Sequence, residues 1–122
     1  MLRNQKGFTL IEIIAVLVIL GILAAVAIPR YISVMEESRR AAGQAALAEV
    51  KGRASSIYAQ LTLSAAGTPT CAQVFASVGA NPNLGSDYSA TAAADANSIF
   101  ITVTSVKGNA VTGVTGSWVW PQ

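Results

Sequence analysis

The feature that most constrains this chain is an apolar run too long for a small soluble fold to bury. Residues 8–28 are FTLIEIIAVLVILGILAAVAI, whose only strongly polar members are Thr9 and Glu12. Residues 13–28 carry no polar side chain and make about 24 Å of helix, short of a hydrocarbon core about 30 Å thick. Starting at Phe8 brings the length to about 31 Å, enough to span, and places Glu12 inside the span. A carboxylate costs roughly 2.5–3.5 kcal/mol at a span centre and less near an end, so a Glu at this position calls for a purpose. An ordinary secretory signal would use the same features, with Arg3 and Lys6 as the charged start and Ala25-Val26-Ala27 as the cleavage site. It would release a binding domain beginning at Ile28. The length of the run and the Glu inside it speak against that alternative.

Composition then removes several classes of function. With no His and a single Cys, a His-bearing triad, a multi-Cys zinc site and an internal disulfide framework are excluded. No nucleophile elbow, phosphate loop or metal cluster occurs, so neither an enzyme nor a cofactor is expected. The net charge of +2 comes from Arg3 and Lys6, and the remaining charges balance, so nucleic acid is not an expected partner.

Residues Lys6-Gly7-Phe8-Thr9-Leu10-Ile11-Glu12, the apolar run and then Pro29 resemble the start of a type IV pilin or type II secretion pseudopilin precursor. The resemblance implies a leader of residues 1–7, cut between Gly7 and Phe8 by a prepilin peptidase that also methylates the new terminus, leaving N-methylphenylalanine at Phe8. It implies a cytoplasmic leader, a single pass of the bacterial inner membrane, and delivery to a pilus filament or a periplasmic pseudopilus. Implied partners are identical subunits, the peptidase/methyltransferase, an inner-membrane assembly platform, minor pilins and membrane lipid. Physically, a freed amino terminus and the Glu12 carboxylate are both costly in lipid, and pairing between neighbours would neutralise both. The alternative is that Glu12 snorkels to the headgroups. Charge alone leaves orientation open, because Arg30, Arg39 and Arg40 follow the span while Arg3 and Lys6 precede it.

Helical character continues past the span. Pro29 lacks the donor for the Ala25 carbonyl, so a bend is expected there. Leu47, Val50, Ala54, Ile57 and Leu61 then follow 3,4 spacing with Tyr58 beside them, which predicts one helix from residue 8 to about 65, broken by Gly67 and Pro69. Glu36 with Arg40 and Glu49 with Arg53 are i,i+4 pairs on a solvated face. Gly43 and Gly52 suggest curvature or close approach, and Gly21 with Ala25 forms a small-residue face suited to tight helix packing. Pro29-Arg30-Tyr31-Ile32, Glu36-Glu37-Ser38-Arg39 and the Ala-rich continuation resemble the mannose-sensitive haemagglutinin type of pilin, which implies a surface filament with attachment as a common task.

The last 55 residues, 68–122, are too few for a robust core without the helix face. A short helix over residues 70–78, a loop over 79–87 and a strand over 98–106 are expected. That strand places Ile99, Ile101 and Val103 on one face and Phe100, Thr102 and Thr104 on the other. Lys107-Gly108-Asn109 turns the chain into a second strand over 110–114, and a third covers 117–120, with a possible fourth near 88–92. Trp118 and Trp120 share a face and are expected to anchor the sheet on the helix, an adhesive patch being the alternative. Cys71 stands alone where many major pilins have a stapling pair. Only Asp87 and Asp95 follow Glu49, so the Asp-rich calcium loop common in major pseudopilins is not expected.

The expected architecture is α+β and type IV pilin-like, a long N-terminal helix with a small antiparallel sheet on its C-terminal half. Its segments are 1–7 leader, 8–29 transmembrane and assembly helix, 30–66 amphipathic helix and 67–122 sheet-bearing region. Gly7 and Phe8 are the expected processing residues, and Glu12, Gly21 and Pro29 the assembly residues. The expected function is a structural pilin subunit polymerising into a surface filament for adhesion, motility or related tasks. A pseudopilin or minor pilin of a secretion or DNA-uptake machine is the alternative.

Overall fold

The computed structural model describes residues 7–64 and 67–121. The order of elements is α1 (Leu10–Ser64), α2 (Cys71–Val78), β1 (Tyr88–Ala94), β2 (Ser98–Val106), β3 (Asn109–Ala110) and β4 (Thr115–Val119). The chain divides into two compact units, Met1–Met35 and Glu36–Gln122, and α1 contributes residues to both. The expected leader residues Arg3 and Lys6 lie outside the described residues.

In the first unit α1 begins at Leu10 rather than at the expected residue 8, because Thr9 serves as its cap. The Glu12 carboxylate accepts from the Thr9 backbone N–H at 3.2 Å and from the Thr9 hydroxyl at 3.1 Å. This is one half of a capping box, in which an acid three residues into the helix turns back to satisfy an orphan donor. The helix runs on through Pro29, so the missing donor removes one ladder hydrogen bond without ending the helix. Every residue from 7 to 38 is exposed.

The second unit is built on the C-terminal stretch of α1, whose buried residues are Gly43, Ala46, Val50 and Ala54. These recur at 3,4,4 spacing, which is the stripe a helix presents to a sheet. Leu47, Ile57, Tyr58 and Leu61 flank it, partly buried against the core as their spacing predicted. Thr70 caps α2 and so stands outside the helix expected over 70–78. Its backbone N–H donates to Gln73 Oε1 at 2.7 Å, and Cys71 and Val74 face inward.

The sheet is antiparallel and four-stranded. β2 lies at its centre, with β1 on one side and both β3 and β4 on the other. β2 has the expected bounds and alternation, with Ile99 and Ile101 at 0% exposure, Val103 at 1% and Phe100 at 51%. β1 is a full partner of seven residues, longer than the possible strand near 88–92, with a bulge between Ser89 and Ala90. The expected strand over 110–114 is not formed. β3 stops at Ala110, Gly113 takes φ 76°, and the chain leaves the ladder so that Val114 can turn inward to 2% exposure. Val111 N–H to the Thr104 carbonyl (3.0 Å) and Val103 N–H to the Val114 carbonyl (2.9 Å) hold this excursion against β2. β4 then starts two residues earlier than the expected 117 and ends at Val119, one short of Trp120.

Two close approaches seat the helix stripe. A Cβ on Gly43 would stand 3.2 Å from Val114 Cγ2, and one on Gly116 would stand 2.9 Å from Leu47 Cδ2. Glycine at both positions lets the Val111–Val114 excursion and β4 come against α1. The close approach expected of Gly43 is thus present, whereas the space around Gly52 is open.

Candidate processing and assembly surface

Gly7 and Phe8 precede the helix, and both are exposed and without regular structure. Phe8 is 81% exposed. A Cβ built on Gly7 meets nothing within 4 Å, so this chain's own packing sets no requirement for glycine there. The same holds for Gly21, two turns further along α1 than Ile14.

Glu12 is brought to Thr9: among the described residues its carboxylate accepts only from the Thr9 N–H and hydroxyl. Gly21 and Pro29 lie further along the same helix and touch neither group. The Thr-x-x-Glu spacing carries the signal for the Thr9 contact, a role apart from the charge pairing and the snorkelling expected of Glu12. Around these residues the helix is apolar and open. Its most apolar 18-residue window has a mean hydropathy of 3.0 with none of it buried, which makes α1 long and apolar enough to cross a membrane.

On the second unit, Trp118 is 7% exposed and donates its indole N–H to Ser55 Oγ at 2.9 Å. Tyr58, Trp118 and Trp120 pack mutually, with ring centroids 5.0–6.2 Å apart. The tryptophans therefore anchor the sheet on α1, as their alternation suggested. Arg53 pairs with Glu49 and donates to the Asn83 carbonyl at 2.6 Å, tying α1 to the loop before β1. The expected Glu36–Arg40 pair is not formed. Glu36, Arg39 and Arg40 instead line one wall of a groove of about 170 Å³, and Ala110, Val111 and Thr112 line the other. Cys71 is a free, buried thiol, and burial followed by the nearby Asp95 carboxylate pushes its pKa up, so it stays protonated near neutrality. Among the described residues no cluster of acids or thiols could hold a metal ion.

Residues 2–28 match the family described as the prokaryotic N-terminal methylation motif. Over 95 residues, 78% of this chain and 75% of the relative, the sequence is 43% identical to the type IV narrow pilus major component PilA5 of Thermus thermophilus. Two further likenesses are confined to shorter stretches. The type IV major fimbrial protein FimA of Dichelobacter nodosus is 70% identical over 27 residues, 22% of this chain and 17% of the relative. The type II secretion system core protein G of Pseudomonas aeruginosa is 54% identical over 37 residues, 30% of this chain and 26% of the relative. No solved structure matches the chain. With an exposed apolar helix that leads into a sheet-bearing unit, and with 43% identity to a pilus component across most of both sequences, the chain belongs to the type IV pilin and pseudopilin superfamily.

Proposed function

We propose that this chain is a structural pilin subunit that is cut between Gly7 and Phe8, methylated at Phe8, and packed by residues 8–29 into a type IV pilus-like filament of identical subunits. The observation that carries the reading is the open apolar surface of α1, with none of its most apolar window buried. Such a surface is stable only in lipid or against other helices, and a pilin uses both in turn. Gly21 supports the second environment, because open space around it leaves room for a neighbouring backbone. Before assembly the chain is held in the inner membrane by residues 8–29, with residues 30–66 and 67–122 outside. A prepilin peptidase, an assembly platform and minor pilins are its partners. Its task is structural, and no reaction is assigned to it.

The pseudopilin alternative draws on the core protein G likeness, which covers only 37 residues. The likeness to a major pilus component extends over 95 and so reaches well into the second unit, which favours a pilus. Mass analysis of sheared surface filaments tests the reading. The expected main subunit starts at N-methylated Phe8, whereas a soluble protein starting at Ile28 would establish the secreted-domain alternative.

A further inference from the structure

Among the described residues, the second unit carries side-chain charges that form no ion pair at opposite ends of its sheet: Arg39 and Arg40, with Glu36 and Glu37 beside them, at one end and Asp95 at the other. At one end is the groove between α1 and the segment after β3, where half-buried Arg39 and exposed Arg40 outnumber Glu36. Val111 donates to the Thr104 carbonyl and Asn109 pairs with Val106, which puts this groove at the C-terminal end of β2. At the other end is Asp95, whose N–H donates to the Ser98 carbonyl at the first residue of β2. β2 separates the two ends by about 26 Å, at about 3.3 Å per residue.

Neither Asp95 nor the two arginines form an ion pair among the described residues. Among the described residues the only ion pair is Arg53 with Glu49. Asp95 is exposed, and its carboxylate accepts only from the N–H of Ala96, at 2.7 Å. The other late acid, Asp87, sits at the groove end beside Lys107, whose N–H donates to the Asp87 carbonyl. An acid at one end of a unit and paired guanidiniums at the other make two different surfaces, which a second copy can join head to tail. Interfaces of that heterologous kind generate open helical filaments when the rotation does not close. Arginine suits the role because its planar fork grips a carboxylate with two parallel hydrogen bonds.

Resting on the filament reading above, we infer that the Asp95 carboxylate of one subunit enters the Arg39/Arg40 groove of another, linking second units head to tail along the filament. Charge exchange in the full-length chain tests this. Asp95→Arg and the double variant Arg39→Asp/Arg40→Asp should each lower the filament yield about tenfold, with cleaved subunit in membranes unchanged, and combining them should restore most of it. Normal assembly of either reversal, or a combination as poor as its parents, overturns the inference. A second arm needs no charged variant to fold. With Cys71→Ala, Asp95→Cys and Arg40→Cys together in one chain, mild oxidation of sheared filaments should give a ladder of cross-linked subunits. Filaments that yield no ladder overturn it. Absence of the wild-type chain from filaments overturns the filament reading as well, and so separates the two failures.

Discussion

The two halves of α1 have the same backbone and opposite fates. Residues 13–28 are apolar on every side and wholly exposed, whereas the later half buries only a stripe of Gly43, Ala46, Val50 and Ala54 and leaves its charged face to water. A stripe needs one partner layer, which this chain supplies from its own sheet. An apolar surface all round needs a surrounding, which one chain of this size cannot make. Helix formation therefore says little about what a segment is for, and the angular width of its apolar surface says much more.

The sharpest way to break this contrast is to place a carboxylate in each half. Val50→Asp buries an unpaired charge at a position with 0% exposure and should cost the second unit at least about 3–5 kcal/mol, read as loss of its cooperative melt in detergent. Leu17→Asp should leave that melt unchanged and remove the protein from membranes. Next in size is Glu12→Leu. It removes the group that caps the helix through Thr9, yet membrane residence and cleavage at Gly7 should persist. Filaments should fall more than about tenfold, because truncating one partner of a desolvated charge pair costs roughly 2–5 kcal/mol. Normal filament yield would show that the carboxylate serves only as a cap and a snorkelling group.

Glycines sharpen the comparison at smaller scale. Gly43→Val should destabilise the second unit by about 1–3 kcal/mol, because its added carbons meet Val114. Gly21→Val meets nothing in the chain, so the melt should not move, but filament yield should drop. The smallest effect concerns Cys71. Its pKa is raised above the ordinary 9.0, so the stability it contributes is complete below that value and is lost as pH rises through the folded-state value. Melting temperature should therefore decline above about pH 9, and Cys71→Ala should remove that part of the decline.

What could be read in the sequence follows the same physics. The anchor, the helix stripe and β2 were legible because each is a long pattern with one period, 3.6 residues for Leu47 to Leu61 and two for Ser98 to Val106. β1 was only half visible, since YSATAAA has small residues and little β-propensity, and its pairing is dictated by β2. The strand expected over 110–114 failed because Ala110, Val111 and Val114 look strand-like locally. The left-handed Gly113 and the space over Gly43 instead draw Val114 into the core. At the candidate site, Gly7, Phe8 and Glu12 form a compact motif. The Arg39/Arg40 groove joins residues about seventy positions apart, and its position at the far end of β2 from Asp95 could not be read without the topology.

The aromatic cluster makes the molecule its own spectroscopic reporter. Both tryptophans of the chain, Trp118 and Trp120, stack edge-on at 5.8 Å and 85° with Tyr58 against them. The first unit holds only Phe8 and Tyr31 as aromatic residues. Light absorbed near the red edge of the ultraviolet band is therefore absorbed by the second unit alone, and emission there is blind to the apolar segment of the first unit. A change in tryptophan fluorescence would thus register contacts made or lost by the sheet, separately from any event along the apolar helix of the first unit.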